Sequence, residues 1–379
     1  MATVTEAQAA PKSIAVKSIS PFMQDVKAEG LATSKQGILI YENLLGLTAD
    51  IKVRALNLAG TEIWSKTIDS GLDEVATALA VDAQGTIWLA GNSAVAPTSE
   101  TATANTDALN PDGVEVENPK PVRADMNNLT IWQINSNGEL VSQSSIPNIA
   151  LVDAISVSSS GISILATNEN GQFLTSFTAG NFSSELKIGT TKTKLSAIAR
   201  SPDGTTYLFG ASSETLGGTK LVGRVDGVLI KVAKTGALTS VVRSTAPKAI
   251  RNWQSATSSL FVTGSVRSGS TVQSALTKFN SSFKPIWTTR IASSGSTLAA
   301  GGPSGSVYAI LEPTAAINGI TGLKIVKGQS VILQFDSKGT IISAFSSADL
   351  ISPVEFTYSS ATGLIVLTSS GKLLKIPAL

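Results

Sequence analysis

The residues able to do chemistry are few, because the 379-residue chain contains neither histidine nor cysteine. Without imidazole there is no Ser-His-Asp triad, no His-ligated zinc or iron, and no side chain poised near neutral pH. Without thiols there are no disulfides, thiolate metal sites or thiol nucleophiles. Carboxylates, Tyr, Lys and Arg remain. Asp73, Glu74 and Asp153 stand at the starts of apolar, β-type segments. Two such carboxylates about 5–5.5 Å apart in one pocket could perform retaining glycoside hydrolysis. Arg251 and Trp253 occupy a similar position, a planar donor beside an aromatic ring that suits a sugar or a carboxylate. No cofactor and no metal is expected. "NTDALNPDG" (Asn105 to Gly113) has oxygen ligands but lacks the spacing and closing Glu of a calcium loop.

Composition narrows the class further. Charged residues make up 15% and hydrophobic residues 42% of the chain, against a usual charged share of about 25%. No apolar run approaches the ~18 residues of a membrane helix. The net charge is +2, yet residues 1–190 hold 10 basic and 20 acidic residues, while residues 191–379 hold 19 and 7. A dipolar molecule meeting oppositely charged partners is the reading this suggests. The basic stretch from Gly217 to Trp253 carries seven cations against Asp226 alone, and Lys231, Lys234 and Arg243 within it are candidates for partner docking. Nucleic acid is not expected, because the stretch has no interleaved aromatics.

These residues are positioned by a repeat. "LAVDAQGTIWLAGNS" (Leu79 to Ser93) returns 119 residues later as "IARSPDGTTYLFGAS" (Ile198 to Ser212), with six of fifteen positions identical. Each copy reads as strand, Gly turn (Gly85, Gly204) and strand, with a second glycine at Gly91 and Gly210. Looser copies start near Gly37, Ile155, Ser258, Gly305 and Gly363. Between them lies a second hairpin, as in "RALNLAGTEIWSKT" from Arg54 and "LQFDSKGTIISAFS" from Leu333, with Asn or Asp fourth and Gly seventh to form the turn. Trp64 and Trp287 take the same place in two of these hairpins and are expected to be blade contacts.

Four antiparallel strands recurring every 43 to 58 residues predict an all-β chain forming one β-propeller. The count of copies predicts seven four-stranded blades. The chain ends in a third-strand pattern, "LLKIPAL", so "KSIAVKSI" (Lys12 to Ile19) is expected to complete the last blade and close the ring. Residues 1–11 read as a flexible tail, 12–379 as the propeller, and about 94–128 as a long acidic loop inserted in the second blade.

The second blade, "DEVATALAVDAQGTIWLAGNS", resembles the β-propeller repeats of secreted and surface-attached bacterial proteins (SBBP-like). Asp73, Ala78, Leu79, Ala80, Val81, Asp82, Gly85, Trp88, Leu89 and Gly91 follow that pattern, and "DGVLIK" (Asp226 to Lys231) matches its later strand. The resemblance covers about two blades. It implies a fold and an extracytoplasmic address, and little chemistry. "AQA" (Ala7 to Ala9) imitates a signal-peptidase site without a basic or apolar region before it. A processed form is therefore expected, lacking its export signal and any lipid anchor that signal carried. The functional expectation is a non-catalytic binding or assembly module for a protein or glycan partner. The alternatives are a carboxylate-based carbohydrate- or lactone-active enzyme and a phage or viral structural component.

Overall fold

The computed structural model describes residues 13–95, 126–147 and 151–377. The tail expected at 1–11 and most of the loop expected at 94–128 lie outside them. Two short strands come first, β1 (Ile14–Ser18) and β2 (Pro21–Met23). The first blade is β3 (Gly30–Thr33), β4 (Ile38–Leu45), β5 (Ala49–Leu56) and β6 (Glu62–Ile68). The second is β7 (Glu74–Val81), β8 (Ile87–Ser93), β9 (Asn128–Ile134) and β10 (Leu140–Ile146). The third is β11 (Leu151–Ser158), β12 (Gly161–Asn168) and β13 (Gly171–Thr178), with the short β14 (Asn181–Phe182) and β15 (Leu186–Lys187) both pairing β13. The fourth is β16 (Thr193–Arg200), β17 (Thr206–Ser212), β18 (Asp226–Val232) and β19 (Leu238–Ser244). Neighbouring strands within each blade are antiparallel.

Next comes a nine-stranded sheet. It contains β20 (Ile250–Ala256), β21 (Phe261–Ser268), β22 (Thr271–Phe279), β23 (Pro285–Gly301), β24 (Val307–Pro313), β25 (Ile320–Thr321), β26 (Gln329–Phe335) and β27 (Ile341–Ile351), with β1 added. A closing blade of β28 (Pro353–Ser359), β29 (Gly363–Thr368) and β30 (Leu373–Ile376) takes β2 as its fourth strand. The propeller thus has five separate blades, not the seven that counting repeat copies predicts. The difference lies in β23. Its first half pairs β22 and its second half pairs β24. The junction "SSGS" has no breaking Pro or Asn, and Gly295 (φ 105°) takes up the kink while the chain stays extended.

Ring closure also differs from expectation. Ile14–Ser18 does not join the last blade: Val16 to Ser18 pair in parallel with Ala344 to Ser346 of β27, and Ile14 and Ala15 with β25. Ile14 and Val16 pack onto the apolar layer of that sheet, which offered an open edge. The next segment, Pro21–Met23, pairs with Leu373 and Leu374 instead. An outermost strand tolerates a Pro, because no partner needs its missing N–H.

The repeated second glycine has a steric cause. The inner strands β7, β16 and β20 each carry a register shift, after Ala76, Leu195 and Trp253. The shift pushes a carbonyl toward the second strand, so that a Cβ on Gly91, Gly210 or Gly264 would overlap the oxygen of Val75, Lys194 or Asn252. Only glycine fits.

The inner strands leave one edge unpaired toward the channel, and side chains from the preceding unit bind it. Asn43 accepts from the Ala76 N–H and donates to its carbonyl, both at 2.9 Å. Gln172 does the same for Leu195. Thr77 donates to the Val152 carbonyl at 2.8 Å, Ser156 accepts from Arg200 N–H at 2.9 Å, and Gln254 accepts from Thr297 N–H at 2.9 Å. At the rim, the rings of Trp64 and Trp287 cover the turn glycines Gly138 and Gly339 of the following hairpins. Trp64 also donates to the Ser136 carbonyl. Buried side chains such as Ile51, Val53, Leu89 and Trp132 fill the space between sheets.

Gly210→Ala is expected to lower folding stability by more than about 2 kcal/mol in a denaturant melt, since backbone and not a movable side chain blocks the methyl. Gly301→Ala, which meets nothing within 4 Å, should change it by less than about 0.5 kcal/mol.

Candidate functional site

The two faces of the ring are unlike. On the lower face the outer turns Asn57–Thr61, Asn135–Glu139, Ala233–Ala237, Asn280–Lys284 and Asp336–Thr340 all close with the same backbone hydrogen bond. In four of them the Asn or Asp side chain also accepts two turn N–H groups. Where the seventh position is Phe283 instead of Gly, its φ is still 59°. Its ring is held by Tyr207, Phe209 and Phe279, which keeps a disfavoured conformation in place. On the upper face, where the inner strands begin, connections range from 169–170 and 269–270 to 213–225, 314–328 and the sequence between Ser93 and Asn128. Asp73, Glu74, Asp153, Arg251 and Trp253 all lie near this face, in three different sheets.

Each has a place in the structure. Asp73 is buried, and its Oδ1 accepts the Ala49 N–H at 2.5 Å. Glu74 is fully buried. Ser70 donates to its Oε1, its Oε2 has no partner, and burial raises its pKa. Asp153 accepts from Thr167 and, at 2.8 Å, from Gln172 Nε2, and so orients the side chain that binds Leu195. Asp153 and Asp73 thus sit in separate blades and engage separate partners.

Trp253 is 5% exposed, with its ring packed edge-on to Phe279 at 5.7 Å and its indole nitrogen against Gly227. It is a core residue and offers no face to a ligand. Arg251 lies beside it over Gly227 and donates to Ser244 Oγ at 3.0 Å. Its Nε has no partner, and burial, then the charge of Arg290, lower its pKa. Arg243 is not a surface docking residue: its side chain is 3% exposed and pairs with the fully buried Asp226 at 3.4 Å. It is buried because Asp226, whose carboxylate also accepts Val222 N–H, Gly223 N–H and the Thr245 hydroxyl, needs a cation beside it. These bonds outweigh the burial that opposes them and hold the Asp226 pKa below its usual value. Lys231 and Lys234 are on the lower face, at the end of β18 and in its turn. The three cations do not form one surface.

Two groups gave no signal in the sequence. Glu355, near the start of β28, is half-buried beside the first blade, and loss of hydration pushes its pKa up to about 7. Tyr41, on β4, lies over the bare Gly30, and burial followed by the charges of Glu29 and Glu355 raises its pKa. The contact joins the two ends of the ring, so no local pattern could disclose it.

No family model matches the sequence, and no curated protein matches it. Solved structures do. A streptogramin B lyase structure superposes over 94% of this chain and 96% of its own with a TM-score of 0.52 at 11% identity. The chain is a β-propeller. The Dos1 propeller covers 92% of this chain and 76% of its own, with a TM-score of 0.49 at 12% identity.

Because Glu355 has a higher pKa in the folded chain (about 7) than its ordinary 4.5, the folded state holds its proton more tightly. Stability attributable to this group is present below about pH 4.5 and declines as pH rises through 7. Glu355→Gln should therefore raise the melting temperature at pH 8 and narrow the difference from wild type at pH 5. Equal shifts at both values would contradict the assignment.

Proposed function

We propose that this chain is a non-catalytic binding module acting outside the cytoplasm, with a rigid ring that presents upper-face loops to a protein or glycan partner. The observation that carries this reading is the contrast between faces. Lower-face outer turns share one form, while upper-face loops differ several-fold in length. Loops free to vary on a fixed scaffold are where recognition is built. The fate of the candidate carboxylates also favours binding over hydrolysis, since Asp73 and Asp153 each hold neighbouring structure in place. The likeness to a lyase structure carries no activity to this chain, being a likeness of fold at 11% identity. The extracytoplasmic address rests on the SBBP-like motif of the second blade.

An array of defined oligosaccharides and peptides, probed with the full chain and with a variant whose exposed upper-face residues Lys324, Ile325, Val326 and Lys327 are changed to Ser, tests this. The expected result is a ligand bound by the full chain and bound at least tenfold more weakly by the variant, with unchanged melting temperature. Conversion of an array ligand into product by the full chain would overturn the non-catalytic reading.

A further inference from the structure

The groove between the fourth blade and the β20–β23 part of the nine-stranded sheet holds more cations than anions. Arg243, paired with Asp226, is not in it: it stands across from Val228, which packs against the third blade, and so projects from the other side of the fourth blade. Arg251 enters from the inner strand β20, passing over Gly227, where a Cβ would stand 3.6 Å from its own Cβ, to reach Ser244 at the end of β19. Arg290 enters from the outer strand β23. It lies in the cross-strand row Trp253, Gly264, Ala275, Arg290, so it projects from the same side of the sheet as Trp253 and Arg251. Arg251 and Arg290 therefore share this groove, while Asp226, the one carboxylate within strands β16–β23, lies with Arg243 on the far side of the fourth blade.

That carboxylate is not free to serve the other two. Its oxygens already accept from Val222, Gly223, Thr245 and Arg243. Glu214, at the upper end of the same blade, is held by Thr190 and Thr193 toward the third blade. Arg251 is left with a serine hydroxyl and an Nε that is shut off from water without an acceptor. Arg290 has no hydrogen bond or ion pair among the described residues. A partly desolvated cation normally has a counter-charge, because the loss of hydration is otherwise uncompensated. Two guanidinium groups on one side of a sheet, near enough for the charge of Arg290 to act on Arg251, each with donors in a planar fork, match the oxygens of a carboxylate, sulfate or phosphate.

We propose that Arg251 and Arg290 form the seat for an oxyanion group of a ligand, bound at the outer end of this groove with Ser244 beside it. The proposal does not depend on the binding-module reading, since such a seat would serve a substrate equally well.

Melting curves of the full chain in sodium phosphate, sodium succinate and sodium chloride at matched ionic strength and pH 7 test it. Phosphate or succinate should raise the melting temperature saturably where chloride does not, and the better of the two identifies a tetrahedral or a planar group. Arg251→Gln and Arg290→Gln should each raise the half-saturating concentration at least tenfold. Lys248→Gln, which alters an exposed cation on the neighbouring loop, should leave it unchanged. Arg251→Gln should also melt no lower than wild type in chloride, because it removes an unmatched charge. If it fails to fold, the exposed Arg290 carries the test alone. Equal behaviour in all three salts would overturn the proposal. So would saturation unaffected by both arginine changes, or an equal loss on Lys248→Gln, which would indicate a diffuse field and not a seat.

Discussion

Side chains of one unit binding the bare inner edge of the next hold this ring together. An inner strand facing a central channel has backbone groups with no strand to pair, and a buried unsatisfied N–H or C=O costs about 1–3 kcal/mol. Asn43 and Gln172 meet both the donor and the acceptor of a bulged residue in the following inner strand. Gln254, Ser156 and Thr77 each meet one group. The bulge that turns these groups outward also drives a carbonyl against the second strand, and so demands Gly91, Gly210 and Gly264. One constraint therefore links these inner-edge contacts to the glycine pattern opposite three inner strands. It also draws in residues that seem to belong to chemistry, as with Asp153, which orients Gln172.

With the ring fixed at its inner edge and clamped by Trp64 and Trp287 at its rim, variation is left to the upper face. The charge asymmetry of the chain is reshaped by folding. Within the basic half, Arg243 is buried in a matched pair, Lys231 and Lys234 go to the lower face, and Arg251 and Arg290 remain on one side of the β20–β23 strands without a carboxylate partner. Pairing inside the fold takes Arg243 out of the basic half's surface and leaves Arg251 and Arg290 as a local surplus within it.

Much of the local structure was legible in the sequence. The Asn and Asp turns, the positive-φ glycines Gly85 and Gly204, and the contact role of Trp64 and Trp287 follow from residue types and spacing. The architecture as a single β-propeller was legible too. What failed depended on partners distant in sequence. The β23 junction is extended whether it turns or runs straight, so "SSGS" could not show that two hairpin sets fuse into one sheet. Lys12 to Ile19 has the texture of a strand, but texture does not say which open edge it takes, and here it takes β27 while Pro21–Met23 takes β30. The site residues were harder still. Arg243 and Trp253 look like surface ligands until Asp226 and Gly227 are placed beside them, and Glu355 acquires its setting only when the ring closes.

Native-state hydrogen exchange at the amides of Ala76 and Leu195 tests the central claim most directly. Neither N–H has a strand partner on its channel side, yet each is held by the side chain of the preceding unit. If those side chains hold the ring, both amides should exchange only through global unfolding, as slowly as ladder amides at the centre of β8 and β17. Exchange at the rate of a frayed edge, orders of magnitude faster than those ladders, would contradict the account.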